Sequence, residues 1–286
     1  MAQVEWLNDK ENSKQAKISS KFKTETIQGP SGNEISFSIE RGGIVKTMKL
    51  KGMEVLYLDE ETFEAEDQNV RGGIPILFPN AGPLRGEHNP YPELKQHGFA
   101  RTASDWQTEQ MPVNQFSEKL ISDEETRKMF PYDFELRMKG GLNEDGSITL
   151  AQEVTNLEKE KALPIAMGLH PYFKVPNAEK QNLKFDFPGG EIVEKDFENW
   201  GSGGTTVIDN PKIKNPEAVL KIKLPGLGVL VMDVSIEYKK IWIWSLPGQD
   251  FVCIEPMMRI EGGLIDNPQM VDPGKTFSAK VDFWLE

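Results

Sequence analysis

A chain of 286 residues, 38% hydrophobic and 27% charged, carries enough apolar material for a sizeable core, and its composition argues against wholesale disorder. Its 45 acidic side chains outnumber 33 basic ones for a net charge of −12, which disfavours a nucleic-acid backbone as partner because such binding runs on lysine and arginine. A small anion held by a local pair of arginines stays open.

The N-terminal stretch MAQVEWLNDKENSKQ has no apolar run of signal-peptide length, and no segment approaches the roughly 18 apolar residues of a membrane span. The single cysteine, Cys253, excludes an intrachain disulfide and fits a reducing compartment, so a cytoplasmic protein is expected. Period-two alternation starts at ISFSIE (35–40) and returns at SITLAQEV (147–154), LKIKL (220–224), IWIW (241–244) and KVDFWLE (280–286), predicting strands with one solvated face. Turn formers such as GPSGN, LNEDGS, FPGG and SLPGQD separate them. The best helical spacing is SDEETRKMF (122–130), where Ser122 is expected to cap a short helix that Pro131 ends. WGSGGTTVIDNPKIKNPEA (200–218) reads as a long polar connection, and the strand-like pattern resumes beyond it with similar composition. The expectation is an all-β, antiparallel chain folded as one domain over 1–286, in which residues 1–34 form an N-terminal extension and first strands.

Paired glycines occur at several places, but none sits in GxGxxG followed by helical periodicity, and PGKT (273–276) lacks the upstream glycine of a phosphate loop. No nucleotide cradle is expected. His88, His97 and His170 are far apart without short metal-ligand spacing, so no metal site is expected either. Four segments look specialised: RGGIPILFPNAGP (71–83), QHGFAR (96–101), GLHPYF (168–173) and CIEPM (253–257). Each sets a polar or ionisable side chain among glycine, proline or aromatic neighbours, the way a rigid scaffold presents a group at a cleft. Taken singly they allow plainer roles: a hydrogen-bonded structural imidazole for His170, a turn cap for Glu255, surface ion pairs for Arg71 and Arg101.

In this order, with Trp106 after QHGFAR, with SDEETRKMFPYDFEL and with the late DNPQMVDPGKTF, these segments resemble the aldose epimerase (mutarotase) family over roughly residues 35–285. The resemblance implies a large antiparallel β-sandwich, the galactose mutarotase-like supersandwich, with few short helices. It implies cofactor-free interconversion of the α and β anomers of a hexose or hexose 6-phosphate. The partner is then a small sugar or sugar phosphate, neither nucleic acid nor membrane. By the same resemblance His170 is the general acid, Glu255 the general base, and His97 and Arg71 bind substrate; Gln96 and Arg101 join them by adjacency. The chemistry agrees, since opening a pyranose needs a proton delivered to the ring oxygen while another leaves the anomeric hydroxyl. Glycine in QHGFAR permits close backbone approach, and the arginine fork suits phosphate, which points to the hexose-6-phosphate branch. Asn80 departs from the aromatic residue of many phosphate-sugar members, and neither Asp209 nor Asp233 fits as the further hydroxyl-binding aspartate of the galactose enzymes. A non-catalytic carbohydrate-binding protein on the same fold is the alternative, and glycoside hydrolysis would need a second carboxylate as well placed as Glu255. The sugar and the oligomeric state are left open.

Overall fold

Strands built on alternating sequence dominate the computed structural model, which describes residues 20–85 and 88–286. The stretch read above for a signal peptide and the first part of the expected extension lie outside those residues. Glu25–Gln28, Glu34–Ser38, Ile44–Leu50 and Met53–Glu54 make an antiparallel sheet in sequence order. An eight-stranded antiparallel sheet runs Lys184–Asp186, Leu220–Leu224, Gly228–Val234, Thr276–Leu285, Ile148–Asn156, Phe134–Leu142, Gln115–Ile121, Gln107–Glu109. A third sheet runs Thr205–Asp209, Lys240–Trp244, Phe251–Met257, Gly168–Leu169, Ile76–Leu77, and Tyr172–Lys174 also pairs with Phe251–Met257. Leu163–Ile165 and Gln269–Val271 form a separate pair.

Strict alternation is clearest in the hairpin Phe134–Leu142 and Ile148–Asn156, where every second residue is buried. Phe134, Leu136, Leu150 and Val154 meet Ile35 and Val45 of the first sheet and Ile241, Ile243, Val252 and Ile254 of the third in one continuous core. Burying each such side chain stabilises the fold by about 1.5–3 kcal/mol.

Three expectations need correction. The strand IWIW and its neighbour Phe251–Met257 have no solvated face: Ile241 and Ile243 enter the core, Trp242 is 4% exposed, and all seven residues of Phe251–Met257 are buried. Their second face is the wall of a cleft, which a period-two pattern does not distinguish from solvent when aromatic residues occupy it. The stretch 200–218 contains the strand Thr205–Asp209, paired with Lys240–Trp244 in the register Thr205↔Trp244, as well as a polar connection. Five residues flanked by glycine, asparagine and proline are too few to stand out as alternation. The helix at 124–129 is capped by Asp123, whose carboxylate accepts from the Thr126 backbone N–H at 2.7 Å while the Thr126 hydroxyl accepts from the Asp123 N–H at 2.8 Å. Ser122 instead accepts the Phe134 N–H at 3.1 Å, and the helix stops at Met129, two residues before Pro131. Among the described residues four further α-helices, Glu60–Glu64, Gly190–Lys195, Phe197–Trp200 and Gly263–Asp266, are each under two turns and too short to display helical periodicity. No helix among the described residues is long and apolar enough to cross a membrane.

Candidate active site

Alternation along three neighbouring strand segments selects the floor of the cleft. In Phe251–Met257, Val252 and Ile254 face the core, which turns Cys253 and Glu255 to the opposite side. Trp242 stands beside Glu255 and Trp244 beside Cys253 in the ladder with Lys240–Trp244. Leu169 and Phe173 likewise enter the core, which turns His170 and Tyr172 outward; Tyr172 is registered against Cys253. The His170 N–H donates to the Pro75 carbonyl at 3.1 Å, tying this segment to the RGGIP stretch that leads into Ile76–Leu77. Its ring stacks on Tyr172, centroids 4.7 Å apart and planes 8° from parallel, with His97 and Trp244 edge-on at 5.4 and 6.0 Å. Three rings thus fix the imidazole, and its Nε2 lies 3.6 Å from Glu255 Oε2.

The QHGFAR segment closes one side. Gly98 has φ +68°, and a Cβ there would lie 1.9 Å from the Phe78 carbonyl oxygen, so glycine is required by both conformation and space. His97 shares the left-handed region at φ +71°, a strained setting for a residue with a side chain. The Phe99 N–H donates to Phe78 O at 3.0 Å, and the Trp106 indole N–H donates to Ala100 O at 3.0 Å, fastening the far end. His97 Nδ1 donates to the Ala81 carbonyl, which leaves Nε2 to accept from the Gln96 amide at 3.2 Å. Burial, reinforced by the Arg101 charge, lowers the His97 pKa to about 3, so this ring is a neutral polar group. Arg101 donates to the Gln96 carbonyl at 3.3 Å.

Between these parts lies a cavity of about 410 Å³, a size suited to a small molecule. Gln96, His97, Arg101, His170 and Glu255 all line it. Arg71 does not; its N–H donates to the Thr62 hydroxyl at 3.0 Å, and its charge acts on Tyr57 and Tyr172. Asn80, buried, braces the wall by donating to Gly82 O at 2.7 Å and Lys95 O at 3.2 Å. Asp209 and Asp233 are ion-paired with Lys240 and Lys212, each at 2.6 Å, and neither lines the cavity. His88 is exposed and not among the lining residues. Sequence reasoning missed Tyr172, Trp242, Trp244, Arg85 and Glu261, which also line the cavity. For the first three a signal existed: on a strand, residues two positions from one another share a face, so IWIW and HPY carried the aromatic wall. Arg85 and Glu261 lie on loops, where no such rule operates.

Burial pushes Glu255 well above the ordinary carboxylate range, opposed by Arg101, and pushes His170 well below the ordinary imidazole range, aided by His97 and Arg101. Two buried groups 3.6 Å apart therefore compete for one proton: imidazole with carboxylic acid, and imidazolium with carboxylate, hold the same number. In either form the pair offers one donor and one acceptor.

Solved structures set the class first. A Synechocystis sp. protein, Slr1438, matches with TM-score 0.75 at 24% identity over 99% of both chains. A galactose mutarotase related enzyme from Lactobacillus acidophilus matches with TM-score 0.72 at 20% identity, covering 92% of this chain and 97% of that one. At these identities the likeness establishes the fold, that of the galactose mutarotase-like sandwiches. Residues 26–284 match the family model described as aldose 1-epimerase, and the chain belongs to that family of isomerases, which interconvert sugar anomers. Protein LacX of Lactococcus lactis subsp. lactis is 27% identical over 273 residues, covering 80% of this chain and 88% of that protein. A putative glucose-6-phosphate 1-epimerase of Cenchrus ciliaris is 29% identical over 153 residues, 50% of this chain and 44% of that protein.

Proposed function

We propose that this protein interconverts the α and β anomers of a hexose, with hexose 6-phosphates as the favoured substrates, using His170 as general acid and Glu255 as general base. The observation that carries the reading is the 3.6 Å approach of His170 Nε2 to Glu255 Oε2 in a cavity of sugar size. The ring oxygen and the anomeric hydroxyl hang from one carbon, so an acid and a base side by side reach both. Proton delivery to the ring oxygen, coupled to removal of the hydroxyl proton, opens the ring to an aldehyde. Rotation about the bond between C1 and C2 presents the other carbonyl face, and the two groups exchange roles to close it. The single proton of the pair is returned each cycle, so the reaction needs neither a hydride carrier nor net acid. His97, Gln96 and Arg101 hold ring hydroxyls, and the Trp242, Trp244 and Tyr172 rings offer apolar faces to the C–H face of a sugar. Arg71 enters through its charge on Tyr57 and Tyr172. Preference for a phosphorylated sugar is supported by two cations at the cavity, Arg101 and the more exposed Arg85, and by relatives named as putative glucose-6-phosphate 1-epimerases.

Saturation-transfer NMR on glucose, galactose and glucose 6-phosphate tests the reading. His170→Asn and Glu255→Gln are each expected to slow exchange by more than about a hundredfold with the fold intact, the usual range for a positioned acid or base. A variant near wild-type turnover removes that residue from the mechanism, and no acceleration by the wild type on any sugar favours a carbohydrate-binding role. The opposite shifts of Glu255 and His170 also predict a broad pH plateau in kcat/KM. The pair gains a second proton only below the lowered imidazole value and loses its first only above the raised carboxyl value.

A further inference from the structure

We infer that His170 and Glu255 on the cavity wall, with Cys253 buried behind them, also form a site for Zn²⁺, in which the ion excludes the sugar. One ligand atom from each of the three lies within 4.8 Å of the others, and all three residues are buried. Cys253 has no part in the acid–base reading, yet the sheet places it there: it is two residues from Glu255 on one strand face, and its ladder partner Tyr172 is two residues from His170. The donor set is thus held by backbone hydrogen bonds.

The spacing of the nitrogen and oxygen donors suits a tetrahedral ion. Zinc bonds of about 2.0–2.2 Å to nitrogen and oxygen at a tetrahedral angle put two such ligands roughly 3.4 Å apart. The observed separation of His170 Nε2 and Glu255 Oε2 is 3.6 Å, beyond a hydrogen bond and close to that value. A nitrogen–oxygen–sulfur set selects zinc over magnesium or calcium, which take oxygen ligands in greater number. Three protein ligands leave the fourth position open to the cavity. Thiolate and carboxylate together balance the ion's two charges, which minimises the cost of burying it; the thiol proton and the proton of the His170–Glu255 pair pass to solvent. Arg101 opposes the ion, being close enough to act on both Glu255 and His170. Ion binding stands by itself, while loss of catalysis on binding rests on the acid–base reading above.

Calorimetric titration of the full chain with Zn²⁺ in chelator-free buffer, followed by Co²⁺ absorption spectroscopy, provides the test. One ion per chain is expected, with a thiolate-to-Co²⁺ charge-transfer band in the wild type. Cys253→Ala is expected to lose that band, to weaken Zn²⁺ binding at least about tenfold and to keep exchanging anomers at Zn²⁺ concentrations that silence the wild type. Absence of the band in Co²⁺-loaded wild type, or equally tight Zn²⁺ binding by Cys253→Ala, overturns the site. The wild-type band needs no variant to fold, and a protein that shows it without accelerating anomer exchange retains the site and loses the catalytic reading instead.

Discussion

Arg101 acts on three features of the site at once: it borders the cavity, it lowers the pKa of both Glu255 and His170, and it grips the Gln96 carbonyl. If it also holds a 6-phosphate, Arg101→Ala will reduce kcat/KM for glucose 6-phosphate more than for glucose. The selective part is expected to be about tenfold to a hundredfold, since a charge-assisted bond contributes roughly 1.5–3 kcal/mol. Everything else that the arginine does is common to the two sugars and cancels in the ratio. Arg85→Ala should move the ratio the same way, whereas Arg71→Ala should leave it unchanged because Arg71 is off the cavity wall. Equal losses on both sugars would end the phosphate assignment and leave the epimerase one. A second residue bears on stability. Glu118 is fully buried, neither carboxylate oxygen has a hydrogen-bond partner among the described residues, and burial, with Glu25 nearby, raises its pKa well above 4.5. A carboxyl raised in the folded state contributes full stability below its unfolded pKa and loses it as pH climbs towards the folded value. Glu118→Gln should therefore match the wild type near pH 4 and exceed it increasingly towards pH 8 in urea denaturation. Parallel pH profiles would show that the folded protein already pairs this carboxylate.

At the scale of elements, the QHGFAR loop is held by one glycine that needs its space and one histidine in a strained conformation. Consecutive left-handed residues, His97 at φ +71° and Gly98 at φ +68°, turn the chain so that His97 enters the cavity while Phe99 returns to Phe78. Gly98→Ala adds a methyl 1.9 Å from a carbonyl oxygen, so the loop must move away from Phe78. The expected cost is about 1–3 kcal/mol, read as a melting temperature lowered by several degrees, with KM rising as His97 shifts. An unchanged melting temperature would mean that the loop is not anchored at Phe78. The strands were legible in the sequence: LKIKL and SITLAQEV write their exposed and buried sides in alternate letters, and they became Leu220–Leu224 and part of Ile148–Asn156. The helices of four to six residues were not, because fewer than two turns cannot repeat a 3.6-residue pattern.

For the whole molecule, the core decides how the sheets behave together. Side chains from the four-, six- and eight-stranded sheets form one contiguous cluster, from Ile35 through Leu136 to Ile243, so no sheet can expose its inner face without opening the others. Calorimetry is therefore expected to show one cooperative transition with equal calorimetric and van't Hoff enthalpies; two resolved transitions would divide the chain into separately folding parts. The sequence by itself determined the antiparallel β class, through period-two patterning and turn chemistry, because those signals span only a few consecutive residues. It also named the motif positions that gather at the cavity, Gln96, His97, Arg101, His170 and Glu255, since each motif stands out by its own composition. Only the tertiary structure decided that His170 and Glu255, 85 positions apart, approach to 3.6 Å, that Arg71 lies off the wall while Arg85 reaches it, and that Cys253, behind the wall, comes within 4.8 Å of both. Those facts depend on the register between strands distant in sequence, and register is fixed by which faces the assembled sheets bury together, which no single stretch of chain contains.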